Sequence, residues 1–297
     1  MKTTRLFLKL KFLFFLFLSS CLSANEIDNF INDYFDVKVD RVNRPDKIVV
    51  GKYIKRRVAM GAHIVISGIA ILIGAYVAWQ VGNWKLVLIQ VLSVGALWYY
   101  STLFKKQVII GNIVVAILAA LVPFVAGLYE LILQHATTDD TVNSLLFHLE
   151  EGTPFEQVEY GLFLVLNQIM YWVLGFALFA FLSTMVREII KDIEDYEGDK
   201  KYYSNTMAVI HGKKKAAFAA QGIAVIMILL VGYLQYLQLQ ANDMGSLMYF
   251  LFTVQLPLAV VIYKLNGAKE KSEYSKLSKY MKLIMLMGIV YTAFFYY

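Results

Sequence analysis

Apolar residues along this chain run in unbroken stretches, at roughly 58–80, 86–104, 108–134, 160–184, 216–240, 246–263 and 280–297, with a shorter one at about 6–22. A helix needs about 20 apolar residues to cross a hydrocarbon core. The period-2 alternation of a transmembrane barrel strand is missing. In lipid the backbone satisfies its N–H and C=O groups only within a helix or a closed barrel. The pattern therefore predicts an all-α fold, a polytopic membrane helical bundle of seven spans plus one atypical N-terminal segment. Residues 31–297 are expected to form the transmembrane domain and 1–30 a separate apolar piece.

The polar segments between the runs set an orientation. Lys and Arg gather in alternate segments: 38–57, 105–106, 187–215 and 264–282. The intervening segments carry Lys85 and a group of acids, Asp139, Asp140, Glu150, Glu151 and Glu156. By the positive-inside rule the four basic segments face the cytoplasm of a multi-pass protein in the cell membrane. One conflict stands out. Lys2, Arg5, Lys9 and Lys11 precede the 6–22 run and also ask to be cytoplasmic, as does the segment after it. A single crossing cannot place both ends inside, so the N-terminus is expected to be a truncated or altered form of the first helices. A cleaved leader, suggested by Leu18-Ser19-Ser20-Cys21, would leave the following arginines outside, against the same rule.

Composition agrees with the bilayer. Of 297 residues, 59% are hydrophobic and 17% charged, with a mean hydropathy of +0.58. A soluble domain has about half apolar and about a quarter charged residues. The net charge of +6 sits in loops at span ends, which accounts for it without nucleic acid. Cys21 is the sole cysteine, which excludes an intrachain disulfide and a thiolate zinc site. His63, His135, His148 and His211 lack metal-ligand spacing.

The chemistry lies in two acidic segments. The first reads Asn32-Asp33-Tyr34-Phe35-Asp36-Val37-Lys38-Val39-Asp40-Arg41-Val42-Asn43-Arg44-Pro45. Asn32, Asp36 and Asp40, four apart, share one helical face, with Asp33 round the side and Pro45 ending the helix. The second runs from Arg187 to Lys200 and places Asp192, Asp195 and Asp199 on one face, with a kink expected at Gly198. A charged helix end is usually a solvated interface. Two such runs on one leaflet, each interleaved with Arg or Lys, point instead to a metal–diphosphate site. Carboxylates hold Mg²⁺ while guanidinium and ammonium groups hold phosphate oxygens.

At these residues the chain resembles the UbiA superfamily of intramembrane prenyltransferases, most closely its geranylgeranylglyceryl phosphate geranylgeranyltransferase branch. Asn32 to Pro45 is similar to the first family signature, and Asp192, Asp195 and Asp199 to the second. Tyr100-Ser101 with Lys105 and Lys106 resembles the family's Y-S-x-x-x-K loop, and Gly111-Asn112 its G-N pair. Ala208 departs from the pattern, where relatives often carry Pro. The resemblance implies a nine-helix fold around a central cavity. It implies that Asn32, Asp36, Asp192 and Asp195 hold Mg²⁺ and that Asp33, Asp40 and Asp199 complete the catalytic motifs. Arg41, Arg44, Lys105, Lys106 and Arg187 are then the diphosphate-binding groups. Tyr100, Asn112 and Asn167 are candidates for the prenyl and acceptor pocket, with Tyr99, Tyr171 and Trp172 as further aromatic candidates. Asn167, Asn112 and Gln221 could equally bond helix to helix.

The implied partners are a prenyl diphosphate, an acceptor and membrane lipids, with no nucleic acid and no obligate protein partner. A glycerol-phosphate-type lipid precursor is the favoured acceptor, with an aromatic acceptor of quinone biosynthesis as the alternative. An inactive truncated member is a further possibility. A transporter would need ionisable groups at mid-span, whereas here they stand at span ends. A CDP-alcohol phosphotransferase would need a D-G-x-x-A-R pattern, which is missing.

Overall fold

The computed structural model describes residues 34–43, 45, 48–149 and 154–292. The 6–22 run, Asn32, Asp33 and Arg44 lie outside these residues, as does the side chain of Lys106. Among the described residues the chain is helical apart from loops and an isolated bridge between Val50 and Ile54. Helix α1 covers 34–43. It is followed by α2 (Arg56–Gln80), α3 (Val87–Thr102), α4 (Ile110–Ala136), α5 (Thr138–Leu146) and α6 (Phe155–Glu194). The short α7 (Tyr196–Lys201) and α8 (Met207–His211) lead to α9 (Lys213–Gln240), α10 (Met244–Phe250), α11 (Leu256–Gly267) and α12 (Lys271–Val290).

Five stretches among these residues are long and apolar enough to cross a membrane: α2, α4, α6, α9 and the continuous segment Met244–Gly267. Two runs expected as spans differ. Helix α3 has 16 residues, about 24 Å, which is short of a hydrocarbon core of about 30 Å. Helix α12 starts in polar turns carrying Lys271, Glu273, Lys276 and Lys279. Helix α6 has 40 residues, about 60 Å, twice the hydrocarbon thickness. Its last turns therefore stand clear of lipid, and they carry the second acidic motif.

The chain forms two compact units. The described part of one comes from Ile64–Val94 and Ala120–Leu178. Its core gathers Val77, Ala78, Val81, Leu86, Val125 and Tyr129, with the Tyr129 hydroxyl donating to the Leu86 carbonyl at 3.4 Å. The other unit draws on Asp28–His63, Gly95–Ala119 and Phe179–Tyr297. Ile190, Ile193, Met227, Leu258, Leu277, Met281 and Ile284 are its fully buried large side chains. Leu72, Leu229 and Phe252 are each more than three-fifths exposed. Such apolar surfaces on spanning helices are what a bilayer covers.

In the second unit, polar side chains join the spans. Gln221 of α9 donates to the Ile262 carbonyl of α11 at 3.0 Å. Gln255 returns a bond to Ile228 of α9 at 3.2 Å, and Gln235 donates to Leu247 at 3.0 Å. The Gln221 ambiguity thus resolves as a bond between helices. Between α10 and α11 the backbone widens into a π-turn over Leu251–Gln255, just ahead of Pro257. A proline ring clashes with the carbonyl four residues back, and the wider turn relieves it.

Candidate functional site

The first acidic helix is fixed from both flanks. Val37 packs with Val50 and Ala59 in a small core bordered by Tyr34 and Ile54. Arg56 donates to the Tyr34 carbonyl at 2.8 Å and lies 4.7 Å from the centre of the Tyr34 ring. That packing leaves Asp36 nearly buried, one turn from Asp40. Asp36 takes an ion pair from Lys105, which the 3-10 turn Phe104–Lys106 presents.

Lys105 is held in place by the start of α4. Gly111 lies directly against this turn, where an added Cβ would strike the Phe104 carbonyl. The next residue, Asn112, is buried and donates its amide to Asp192 Oδ2 at 2.9 Å. The buried Tyr100 lies near Lys105, on the last turns of α3. Burial alone would depress the Lys105 ammonium. The Asp36 carboxylate, aided by Tyr100 and Asp40, outweighs that and raises its pKa, so the group stays charged.

The projecting end of α6 carries Arg187, Glu188, Lys191 and Asp192. Glu188, assigned no role from sequence, is buried and pairs with Arg187 and with Lys191 at 3.1 Å. Its signal was its position between two cations in a helix end too long for the membrane. Arg187 Nε is buried with no hydrogen-bond partner among the described residues.

The chain breaks at Asp195, between α6 and α7, rather than at the expected Gly198. Gly198 is inside α7, where it is buried against the side chain of Asn43. The glycine is needed for that approach rather than for a kink. Asp199 follows on α7, and burial, with the nearby carboxylates of Asp195 and Asp36, pushes its pKa up to about 7.

The second unit thus brings together Asp36, Asp40, Tyr100, Lys105, Asn112, Arg187, Asp192, Asp195 and Asp199. Arg41 is exposed at the end of α1. Asn167 belongs to the first unit and is exposed. Tyr99 and Tyr171 are likewise more than half exposed.

Among the described residues no three carboxylate or imidazole groups form a ready-made cage for a metal ion. Mg²⁺ does not require one. It keeps several waters and is typically held by one or two carboxylates plus substrate phosphates. The upward pressure on Asp199 marks carboxylates in want of positive charge, and an all-oxygen donor set suits a hard cation.

The profile of the UbiA prenyltransferase family matches residues 5–289. Digeranylgeranylglyceryl phosphate synthase of Methanosphaera stadtmanae is 30% identical over 264 residues, which is 88% of this chain and 80% of that protein. Among solved structures, the apo UbiA homolog from Aeropyrum pernix K1 has a TM-score of 0.61 at 14% identity, covering 93% of this chain and 88% of its own. The UbiA homolog from Archaeoglobus fulgidus bound to DMAPP and Mg²⁺ has a TM-score of 0.52 at 16% identity, covering 94% and 86%. At such identities the structural likeness speaks for the fold alone.

Proposed function

Because the chain belongs to the UbiA prenyltransferase family, we propose that it transfers a prenyl group from a prenyl diphosphate to the hydroxyl of a glycerol-phosphate-type lipid acceptor, forming an ether. The observation that carries the reading is the meeting of two acidic helix ends around the half-buried Lys105. The acceptor class is supported by the Methanosphaera relative, named for digeranylgeranylglyceryl phosphate synthesis. Mg²⁺ is supported by the Archaeoglobus homolog, which holds DMAPP and Mg²⁺.

In this reading the allylic C–O bond to diphosphate breaks, and a new C–O bond forms to the acceptor oxygen as its proton passes to the departing diphosphate. Asn32, Asp36, Asp192 and Asp195 hold Mg²⁺, with Asp33, Asp40 and Asp199 completing its surroundings. Bound there, the ion neutralises charge that develops on the departing diphosphate. Lys105 lies beside Asp36, ready to trade a carboxylate for a phosphate oxygen, with Arg41, Arg44, Lys106 and Arg187 as further cationic partners. Asn112 fixes the orientation of Asp192. Both motifs face the cytoplasm in this reading, which the basic segments around them support.

The test uses the full chain in lipid nanodiscs with geranylgeranyl diphosphate and, in turn, geranylgeranylglyceryl phosphate or 4-hydroxybenzoate. Mass spectrometry should find the doubly prenylated glycerol phosphate, and EDTA should abolish it. Product with hydroxybenzoate alone would overturn the acceptor, and no Mg²⁺-dependent product with either would overturn the whole reading.

A further inference from the structure

Asn43 ends α1 and is buried, three residues past Asp40 in the first acidic segment, and was given no role from sequence. Its Nδ2 donates to the Asp195 carbonyl at 3.1 Å, and its Oδ1 accepts from the Gly198 N–H at 3.0 Å. The Gly198 N–H belongs to the first turn of α7, where helical acceptors run out, and the Asp195 carbonyl accepts from the Asp199 N–H at 3.1 Å as well as from this amide. One planar amide supplies the donor and the acceptor together, which neither a carboxylate nor a hydroxymethyl group does in the same geometry. The fit is close enough that a Cβ at Gly198 would overlap the Asn43 side chain. A third segment joins here. Lys271, in the first turn of α12, donates to the Asn43 carbonyl and lies 3.9 Å from Asp195 Oδ1.

We propose that Asn43 is a positioning residue, whose amide sets the register of the Asp195–Asp199 turn against Asp36 and so prepares the carboxylates for a shared divalent cation. The proposal rests on the prenyl-diphosphate reading above. The two acidic motifs are 152 residues apart at the first of these bonds. Without a tether, the repulsion among Asp36, Asp195 and Asp199 would drive the turn away from α1. Partners that orient metal-ligating groups typically matter by about 10–100-fold in metal affinity or activity.

The experiment uses the full chain in nanodiscs in a Cys21→Ser background, with spin labels on Lys38→Cys and Lys201→Cys, both at exposed positions. Without metal, the parent should give one narrow distance distribution, and Asn43→Ala a broad one. In unlabelled protein with inorganic pyrophosphate, Mn²⁺ binding followed by EPR should weaken about 10–100-fold in Asn43→Ala. The rate of prenyl transfer at saturating Mg²⁺ should stay within about threefold of the parent. Gly198→Ala, which dislodges the amide from the other side, should reproduce both changes and add nothing to Asn43→Ala in the double variant. It also decides the matter should Asn43→Ala not fold. Unchanged distances and Mn²⁺ affinity in both variants would overturn the proposal, as would a lost rate with unchanged metal affinity. If the label and Mn²⁺ results hold while the parent makes no prenylated product, the positioning role stands and the assigned reaction falls.

Discussion

Asp199 sits where burial and the Asp195 carboxylate hold its pKa at about 7, against an ordinary value of 3.8. Between those values the folded chain keeps a proton that the unfolded chain has released. Its contribution to stability is therefore complete below about pH 4 and is lost as pH rises through about 7. In EDTA, thermal unfolding of the purified protein should show Asp199→Asn gaining over the parent as pH rises from 5 to about 7.5. A gain that is the same at every pH would show that Asp199 titrates normally. The identity of this residue was legible from spacing alone, since i, i+3 and i+7 put Asp192, Asp195 and Asp199 on one face. Its protonation was not, because that depends on Asp36 and Lys105, which approach only in the folded chain. Asn43 and Glu188 were overlooked for the same reason. Arg187 and Lys191 flank Glu188 in the sequence, but nothing local announces that the acid will be buried between them or that the Asn43 amide will bridge a helix break.

At the level of elements, α9, α10 and α11 are joined by amide side chains that donate to carbonyls already used by their own helices. A carbonyl has two lone pairs, so these bonds add to the helical ladder without breaking it. Gln221→Leu and Gln255→Leu should each lower stability by about 0.6 kcal/mol, with a ceiling near about 2 kcal/mol. SDS-driven unfolding in mixed micelles would measure this. A loss well beyond the ceiling would mean that the amides also bind something in the span. Helix ends were the least legible feature of the elements. The apolar run at 160–184 marks the part of α6 in lipid, but the helix continues to Glu194 because residues 185–194 contain no Gly or Pro. Continuation of the helix is what aligns Arg187, Glu188, Lys191 and Asp192 with one another.

At the scale of the molecule, the basic segments 187–215 and 264–282 converge on the acidic motifs in one unit, while Lys213 pairs with Glu197 at 3.5 Å across the α8 turn. The loop after α9 carries no Lys or Arg. The orientation inferred from this asymmetry predicts a labelling pattern in a Cys21→Ser background. Lys201→Cys and Lys279→Cys should react with a membrane-impermeant maleimide only after the cells are opened, and Ala241→Cys in intact cells. Reaction of all three in intact cells would remove the orientation and with it a cytoplasmic site.

By itself the sequence determined the solvent this chain folds in, the helical character of its spans and the residue types that meet at its acidic site. Those properties are local, since run length sets what can cross a bilayer and residue spacing sets a helical face. Tertiary structure alone decided which side chains share the site and which do not: Asn112 on Asp192, Lys105 on Asp36, Asn43 across the break at Asp195, and Asn167 exposed in the other unit. Contacts between residues 69 to 155 positions apart depend on how the helices pack, and helical periodicity carries no information about that.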